Sequence, residues 1–542
     1  MQHSSPETWK RVAGLARRRR HFISMTSADF RNRVDSHLAA GRQREALIVL
    51  DEWRLQSPGQ IEPELLHARI ELGNGQFREA RRRLVEAAGT AECPARLVAE
   101  TLRHLRLFVA HDAMIEWAGK YPDRPAIAAV DQAEAAKMLS AIGAQELALD
   151  WAREAVAKAP GNDSCRSTHA LVLGFGGDFG AARDELEPIA RKPHGLAMAH
   201  WQLSQLGRQT VESNHVDRLR ERLRHCADAR DRAFLEFALF KEMDDLGDVD
   251  GAWAALAQGC QTTRNRLPYN RLARQRLYDA IIQRFPTMRE AQASVEDGPV
   301  PIFIVGMHRS GTTLVERILG AHAEVFDYGE SQRLSNALRL GANHYCSQLL
   351  DAELVASVNR LDHSSVARNF LSEGRTRFGS ARYVTEKMPG NFQLIGFIRN
   401  ALPQARVIHV CRDPMDLCFA NLREYFVDGV RYSNSMEDVA HFHAQYRRLM
   451  RHWHACYPGF VLDVNYEDLV SDPAAESKRL YEFCGLDWSP QAIDMSANAG
   501  KAVNTLSTVQ VRSSINTRSV GRWRPYATWL EPLRLLLEPD RV

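Results

Sequence analysis

Through the first half of the chain, apolar residues recur at helical spacing and glycine interrupts them at regular intervals. Glycines at 41, 75, 143, 177 and 247 stand 34, 68, 34 and 70 residues apart. Each is followed five residues on by alanine: Ala46, Ala80, Ala148, Ala182 and Ala252. The strings around them agree (AAGRQREALIVL, GNGQFREARRRL, AIGAQELALDWA, FGGDFGAARDEL, DLGDVDGAWAAL). Five such pairs in phase predict a helix–turn–helix unit repeated over residues 28–285, with the phase lost near 109 and 211. The glycine is expected to let one helix approach the next closely, and the alanine to sit where they cross. From residue 300 the pattern changes. PIFIVG is a short apolar run that predicts a buried parallel strand, MHRSGTT a loop, and LVERILGAH, apolar at 314, 315, 318 and 319, a helix. ARVIHVCRDPMDLCFANLREYF repeats strand, turn and helix, with Pro414 placed for helix initiation. Between the two halves, residues 286–299 lack periodicity and read as a linker.

The predicted fold is thus an α-helical repeat solenoid followed, over 300–542, by an α/β domain with a parallel sheet. The 34-residue period resembles that of the tetratricopeptide repeat. That resemblance implies either a concave surface for a peptide, acceptor or partner subunit, or a scaffold that only shapes or dimerises the α/β domain. At 542 residues the chain is too long for one core. Its net charge of +3 argues against a dedicated nucleic-acid binder. Nine scattered cysteines without a C-x-x-C spacing suggest neither a disulfide framework nor a zinc site, and fit a cytoplasmic protein. No apolar run approaches the length of a membrane span. Residues 1–27, with Lys10-Arg11 and Arg17 to Arg20 but no apolar stretch after them, read as a disordered basic arm; the alternative is a true start at Met25.

The loop after the first strand carries the chemistry. Gly306 and Gly311 have the spacing of a phosphate-binding G-x-x-x-x-G-K-[ST] loop and Thr313 fills its last position, but Thr312 stands where lysine belongs. Amides of residues 309–313 at a helix N-terminus would hold an anion. A triphosphate needs the lysine and Mg²⁺. A terminal sulfuryl group carries less charge, and Arg309 with those amides suffices for it without a metal. Arg412, after the strand VIHV and before a helix start, is placed for a second phosphate, or else for an ion pair with Asp413 or Asp416.

These residues resemble the sulfotransferases that use 3′-phosphoadenosine 5′-phosphosulfate (PAPS), over about residues 300–535, and most closely those with a tyrosylprotein-sulfotransferase-like domain behind tetratricopeptide repeats. The resemblance implies that Arg309, Ser310, Gly311, Thr312 and Thr313 hold the 5′-phosphosulfate and that Arg412 holds the 3′-phosphate. The family's R-D-P-x-x-x-x-x-S motif ends here in Ala420, which removes a hydroxyl worth roughly 1.5–3 kcal/mol unless water or Arg423 replaces it. VNYEDLV places Tyr466 near the adenine. NTRSVGRWRPY supplies Arg518, Gly521, Arg522 and Trp523 to a loop over the cofactor. TEKMPGNF supplies Lys387 as catalytic lysine.

The same resemblance implies an in-line transfer that releases adenosine 3′,5′-bisphosphate and requires no metal. Glu330, in FDYGESQRL, is the general base, and Lys387 and Arg309 stabilise developing charge. The acceptor is a protein tyrosine, another peptide, a glycan or a small phenol; a homodimer is compatible, nucleic acid is not expected. Two other readings stay open: a P-loop kinase or NTPase, and a non-catalytic repeat scaffold with a decayed nucleotide site, which Ala420 favours. His441 with His443, and His452 with His454, lie two apart on a helix and cannot chelate a metal from that helix alone. The C-terminal YATWLEPLRLLLEPDRV reads as an amphipathic helix that packs on the core.

Overall fold

The computed structural model describes residues 25–285, 298–427, 429–495 and 514–538. The basic arm through residue 24 and most of the linker lie outside the described residues. The chain divides into two compact units between Pro94 and Ala95. The linker expected at 286–299 falls inside the second.

The first unit holds the helices Ser27–Ala39, Gln43–Gln56, Glu62–Gly73 and Phe77–Thr90. Thr26 starts the first of these with a reciprocal capping box to Asp29. The core of its first three helices gathers Phe30, Val34, Val49, Leu50, Trp53, Leu66 and Ile70, with Phe30 stacked on Trp53 at 5.5 Å between ring centroids.

The second unit begins with further helix pairs: Val98–Leu107 with His111–Lys120, Ala129–Ala141 with Gln145–Lys158, and Asp163–Gly176 with Phe179–Ala190. Ala197–Gln205 with Val216–Arg224, Ala229–Leu246 with Val249–Arg266, and the single helix Arg271–Arg284 complete the series. The periodic alanines 46, 80, 148, 182 and 252 are all fully buried, as expected of helix crossings. The periodic glycines act differently from expectation. Gly41, Gly75, Gly143, Gly177 and Gly247 have φ of 70, 74, 81, 94 and 80°. A Cβ on Gly41, Gly75 or Gly247 would meet nothing within 4 Å. At these three positions glycine is there for a left-handed turn, not for close approach, whereas a Cβ on Gly143 would lie 3.0 Å from Arg377 Nη2. The phase lost near 109 is a loss of the residue, not of the unit. Val109 takes the same turn with φ 50°, at a strain of about 1–3 kcal/mol, and the helix pair persists. Near 211 the connection itself lengthens, to residues 206–215.

The sheet has five parallel strands in the order β2-β3-β1-β4-β5: β1 Val300–Gly306, β2 Val325–Phe326, β3 Tyr383–Glu386, β4 Arg406–Cys411 and β5 Val461–Asn465. β1 lies at the centre, with Ile302 opposite both Thr385 and Arg406. Its side chains alternate between two cores, as a strand covered on both faces requires. Ile302 and Ile304 pack with Val315, Ile318, Leu319 and Leu480. Phe303 and Val305 belong to a larger core that also takes in Trp453 and, from the helix pairs, Phe234, Phe237 and Phe285. Phe237 stacks on Tyr425 at 5.0 Å, and Phe285 meets Phe397 and Trp453 edge-on. One core therefore joins the last helix pairs to the sheet. The C-terminal helix Ala527–Leu537 buries Leu530, Leu533 and Leu537 in it, as its amphipathic pattern predicts. No helix among the described residues is long and apolar enough to cross a membrane.

Candidate active site

A parallel sheet brings the carboxyl ends of its strands to one edge, and where the chain leaves the central strand in opposite directions a crevice opens. Each strand here delivers a candidate residue to that edge. β1 runs into the loop 307–311, Glu330 follows β2, Lys387 follows β3, Arg412 follows β4 and Tyr466 follows β5.

The loop after β1 is closely constrained. Arg309 has φ 66° and Gly311 φ 111°. Gly311 caps the helix Thr312–Leu319, and a Cβ there would lie 2.5 Å from the ring of Tyr466, so no other residue fits without displacing that ring. Thr312 and Thr313 open the helix, where amides lack intrahelical acceptors. The Ser310 hydroxyl is fully buried and has no hydrogen-bond partner among the described residues. Arg309 Nε lies 3.4 Å from Glu424 Oε2. Burial raises the Glu424 carboxyl, with Arg309 opposing.

Glu330 and Lys387 meet directly: Lys387 Nζ donates to Glu330 Oε1 at 2.6 Å. Lys387 is wholly buried and Glu330 is 41% exposed, so the ammonium is shielded while its carboxylate partner faces the opening. A solvated loop lysine is excluded. Two clamps hold the Glu330 segment. Before it, the Gly329 amide and the Thr385 hydroxyl donate to Glu316 Oε1 at 3.0 and 2.9 Å, and Thr385 Oγ1 also accepts from the Tyr328 amide. After it, Ser331 Oγ donates to Glu386 Oε2 at 2.6 Å and Arg333 Nε to the same oxygen at 3.1 Å. Burial pushes Glu316 up to about 7, with Lys387 opposing, and raises Glu386, with Arg333 opposing. His308 donates or accepts at the Tyr432 hydroxyl, 2.9 Å away; burial lowers it, with Glu330 opposing.

Arg412 forms no ion pair with Asp413 or Asp416 among the described contacts. Its Nη1 donates to Arg309 O at 2.9 Å and its Nη2 to Ser519 O at 2.6 Å, so it bridges the β1 loop and the late segment. Its guanidinium lies 4.7 Å over the Tyr466 ring and its buried Nε has no partner among the described residues. Tyr466 opens the helix Tyr466–Ser471. The late segment is tied down by Asp416, which accepts from the Gly521 and Trp523 amides at 2.6 and 3.3 Å. Gly521, with φ 70°, shapes that turn. Trp523 departs from expectation: its ring packs against the large core and does not line the cavity, since an indole gains more from that apolar contact than from a polar opening. Arg522 is paired with Asp244 of the helix Ala229–Leu246 at 2.6 Å, as is Arg423 at 2.7 Å.

A cavity of about 670 Å³ lies within this frame, lined by residues that include His308, Arg309, Gly311, Thr312, Thr313, Glu330, Arg412, Ala420, Tyr466, Arg518 and Arg522. Its far wall is Trp201, Phe237, Phe240, Lys241 and Asp245 from the helix pairs. Sequence reasoning missed that wall, Asp416, His308 and both clamps. His308, Ser331 and Glu386 sat inside stretches already singled out, and Asp416 stood there only as an ion-pair candidate for Arg412. Away from the cavity, His454 reaches Asp463 on β5 at 3.1 Å, and Asp463 also meets His409 on β4 at 2.7 Å. His409, His454 and Asp463 are the one group of potential metal ligands found among the described residues. It joins three elements, which spacing along one helix cannot reveal.

The α/β part of the chain is similar to known proteins. Residues 301–490 match the model of the Sulfotransferase family. A putative protein-tyrosine sulfotransferase of Caenorhabditis briggsae is 26% identical over 228 residues, covering 41% of this chain and 80% of that one. An uncharacterized protein of Aquifex aeolicus (strain VF5) is 26% identical over 316 residues, or 57% of this chain and 41% of that protein. This chain therefore matches less than half of the Aquifex protein's length. The sulfotransferase domain of the Synechococcus PCC 7002 olefin synthase is 20% identical, with a TM-score of 0.32, over 47% of this chain and 99% of that domain.

Proposed function

We propose that this protein is a sulfotransferase that moves the sulfuryl group of PAPS onto an acceptor hydroxyl. The observation that carries the reading is the Glu330–Lys387 pair, 2.6 Å apart, at a cavity whose anion loop lacks the P-loop lysine. The residues present fit the nucleotide. Ser310 offers a buried hydroxyl and Arg412 a buried Nε, neither with a partner among the described residues, and Thr312 and Thr313 offer the amides of a helix start. When bound, PAPS supplies an activated sulfuryl group and leaves as adenosine 3′,5′-bisphosphate.

The chain's own residues do the rest. The loop 309–313 orients the 5′ end, and Tyr466, under Arg412, walls the nucleotide side. Glu330 would take the proton of the acceptor hydroxyl. Lys387, through Glu330 beside it, and Arg309 would offset negative charge on a bound sulfuryl and 5′-phosphate group. The clamps on either side of Glu330 limit its motion, which favours a near-attack geometry. The name of the Caenorhabditis relative supports a tyrosine phenol as the first acceptor to test.

Transfer of labelled sulfate from PAPS to tyrosine peptides and to a lysate of the source organism tests the reading. Wild type labels an acceptor, while Glu330→Gln and Lys387→Met still bind adenosine 3′,5′-bisphosphate but label none. Magnesium-dependent hydrolysis of ATP, with no response to PAPS, would replace the proposal with a kinase or NTPase. Absence of nucleotide binding would leave a scaffold.

A further inference from the structure

The cations that line the cavity do not all come from the α/β region. Arg309 lines it beside the amides of the helix start. Arg412, Arg423, Arg518, Arg522 and, from the helix pairs, Lys241 line it too, as does Ala420. Here the family motif provides a hydroxyl and this chain provides a methyl group. Arg423 and Arg522 do not fill the gap freely, because both are held by Asp244 Oδ2, while Tyr526 donates to Asp244 Oδ1 at 2.8 Å.

Lys241 is differently placed. It lies on the helix Ala229–Leu246, one residue after Phe240, whose ring packs under the Arg423 guanidinium at 5.5 Å. Its Nζ donates to Gly207 O and to Asp245 Oδ2, both at 2.5 Å. An ammonium has three donors, so one remains. The side chain is only 20% exposed, and it lines the cavity. Burial lowers Lys241, with Asp245 opposing, which marks a cation held in place at a cost in solvation. Arg518 makes no side-chain hydrogen bond or ion pair among the described residues.

We propose that the helix pairs complete the cofactor site, with Lys241 donating to the 3′-phosphate in place of the hydroxyl absent at Ala420, and Asp244 positioning Arg423 and Arg522 around it. This rests on the PAPS reading above and adds to it the assignment of 3′-phosphate selectivity to the helical region. Lys241 acts as a point charge that reaches across from the opposite wall, which a small residue at 420 leaves room for. The helical region is then part of the nucleotide site and not a detachable acceptor platform.

The test is calorimetric titration of the full chain with two nucleotides that differ only in the 3′-phosphate, adenosine 3′,5′-bisphosphate and adenosine 5′-monophosphate. Wild type prefers the bisphosphate. Lys241→Met weakens bisphosphate binding by about ten- to a hundredfold, the worth of one charged hydrogen bond, and leaves the monophosphate unchanged. Lys241→Arg keeps most of the preference and controls for folding. Equal loss for both nucleotides, or no loss for either, overturns the assignment. Wild type that binds both nucleotides equally also overturns it, while the sulfotransferase reading stands. Wild type that binds neither overturns that reading and this one with it.

Discussion

The crown of the sheet and the helix pairs meet at one cavity, yet they reach it by different routes. At the crown, residue identity follows from backbone geometry. Gly311 is fixed by φ 111° and by the Tyr466 ring, and Lys387 and Arg412 by their places directly after β3 and β4. In the helix pairs the regular positions, the glycines and alanines, serve only the turn and the crossing. The residues that reach the cavity, Trp201, Phe240, Lys241 and Asp245, follow no period. Strand ends of a parallel sheet announce their chemistry because the topology allows few places for it. A helical repeat presents a broad surface, and any exposed position on it can be recruited.

The largest effects should come from the crown. Lys387→Met leaves Glu330 without its partner and removes a wholly buried cation. Sulfate transfer should fall by about 10³-fold, and by roughly 10²–10⁴-fold for Glu330→Gln, with bisphosphate affinity changed by less than about threefold. Steady-state rates beside calorimetric affinities check this. Unchanged turnover in either variant would remove that residue from the chemistry. Next is the joint between the two regions. Asp244→Ala strips the carboxylate from Arg423, Arg522 and the Tyr526 hydroxyl. Burial works to raise Asp244, but the two arginines and Tyr526 outweigh it and hold it below the ordinary carboxylate range. Leaving Arg423 unpaired should cost about 3–5 kcal/mol in urea unfolding. A cost below about 1 kcal/mol would show that the regions are joined by apolar packing alone.

A pH effect of similar size belongs to the crown. Glu316 is raised to about 7 by burial, so the folded protein holds its proton where the unfolded chain has lost it. The favourable contribution is full below about 4.5 and is lost as pH rises through about 7, at most about 3 kcal/mol. Glu316→Gln should flatten that part of the stability–pH curve while keeping the hydrogen bonds to Gly329 and Thr385. A curve that falls equally steeply between about pH 5 and 7 in the variant would assign the titration elsewhere.

Much of this was legible before the structure. The two strand–turn–helix units, the lysine-free loop and the period of 34 all follow from patterns within about forty residues. What was not legible depends on packing between distant segments. Asp244 meets Arg522, 278 positions on, and Lys387 meets Glu330, 57 away. No local rule connects those pairs. Trp523 shows the converse. Its motif suggested a ligand contact, but the apolar core next to it claims the ring. Val109 shows that a repeat can outlast its diagnostic residue, because tertiary packing holds a turn that valine disfavours.

The smallest effects allow the sharpest form of the comparison, since the same substitution can be made in both regions. Gly311→Ala meets two obstacles, a left-handed φ of 111° and the Tyr466 ring 2.5 Å from the new Cβ. If the ring shifts to admit the methyl, the proposed nucleotide wall shifts with it, and bisphosphate affinity should fall about 5- to 150-fold, equivalent to about 1–3 kcal/mol. Gly41→Ala meets only the first obstacle. Its φ is 70° and the new Cβ has open space around it. The strain of a left-handed alanine, about 1–2 kcal/mol, should appear as a lower stability of the helices that flank it, with nucleotide affinity unchanged. Helical circular dichroism during urea unfolding and calorimetry with the bisphosphate read the two quantities separately. If Gly41→Ala weakened the nucleotide as much as Gly311→Ala, the turn glycines of the repeats would have to serve the site as well as the fold, and the contrast between the regions would fail. If Gly311→Ala changed stability but not affinity, Tyr466 would lose its place in the nucleotide wall and the loop would reduce to a structural turn.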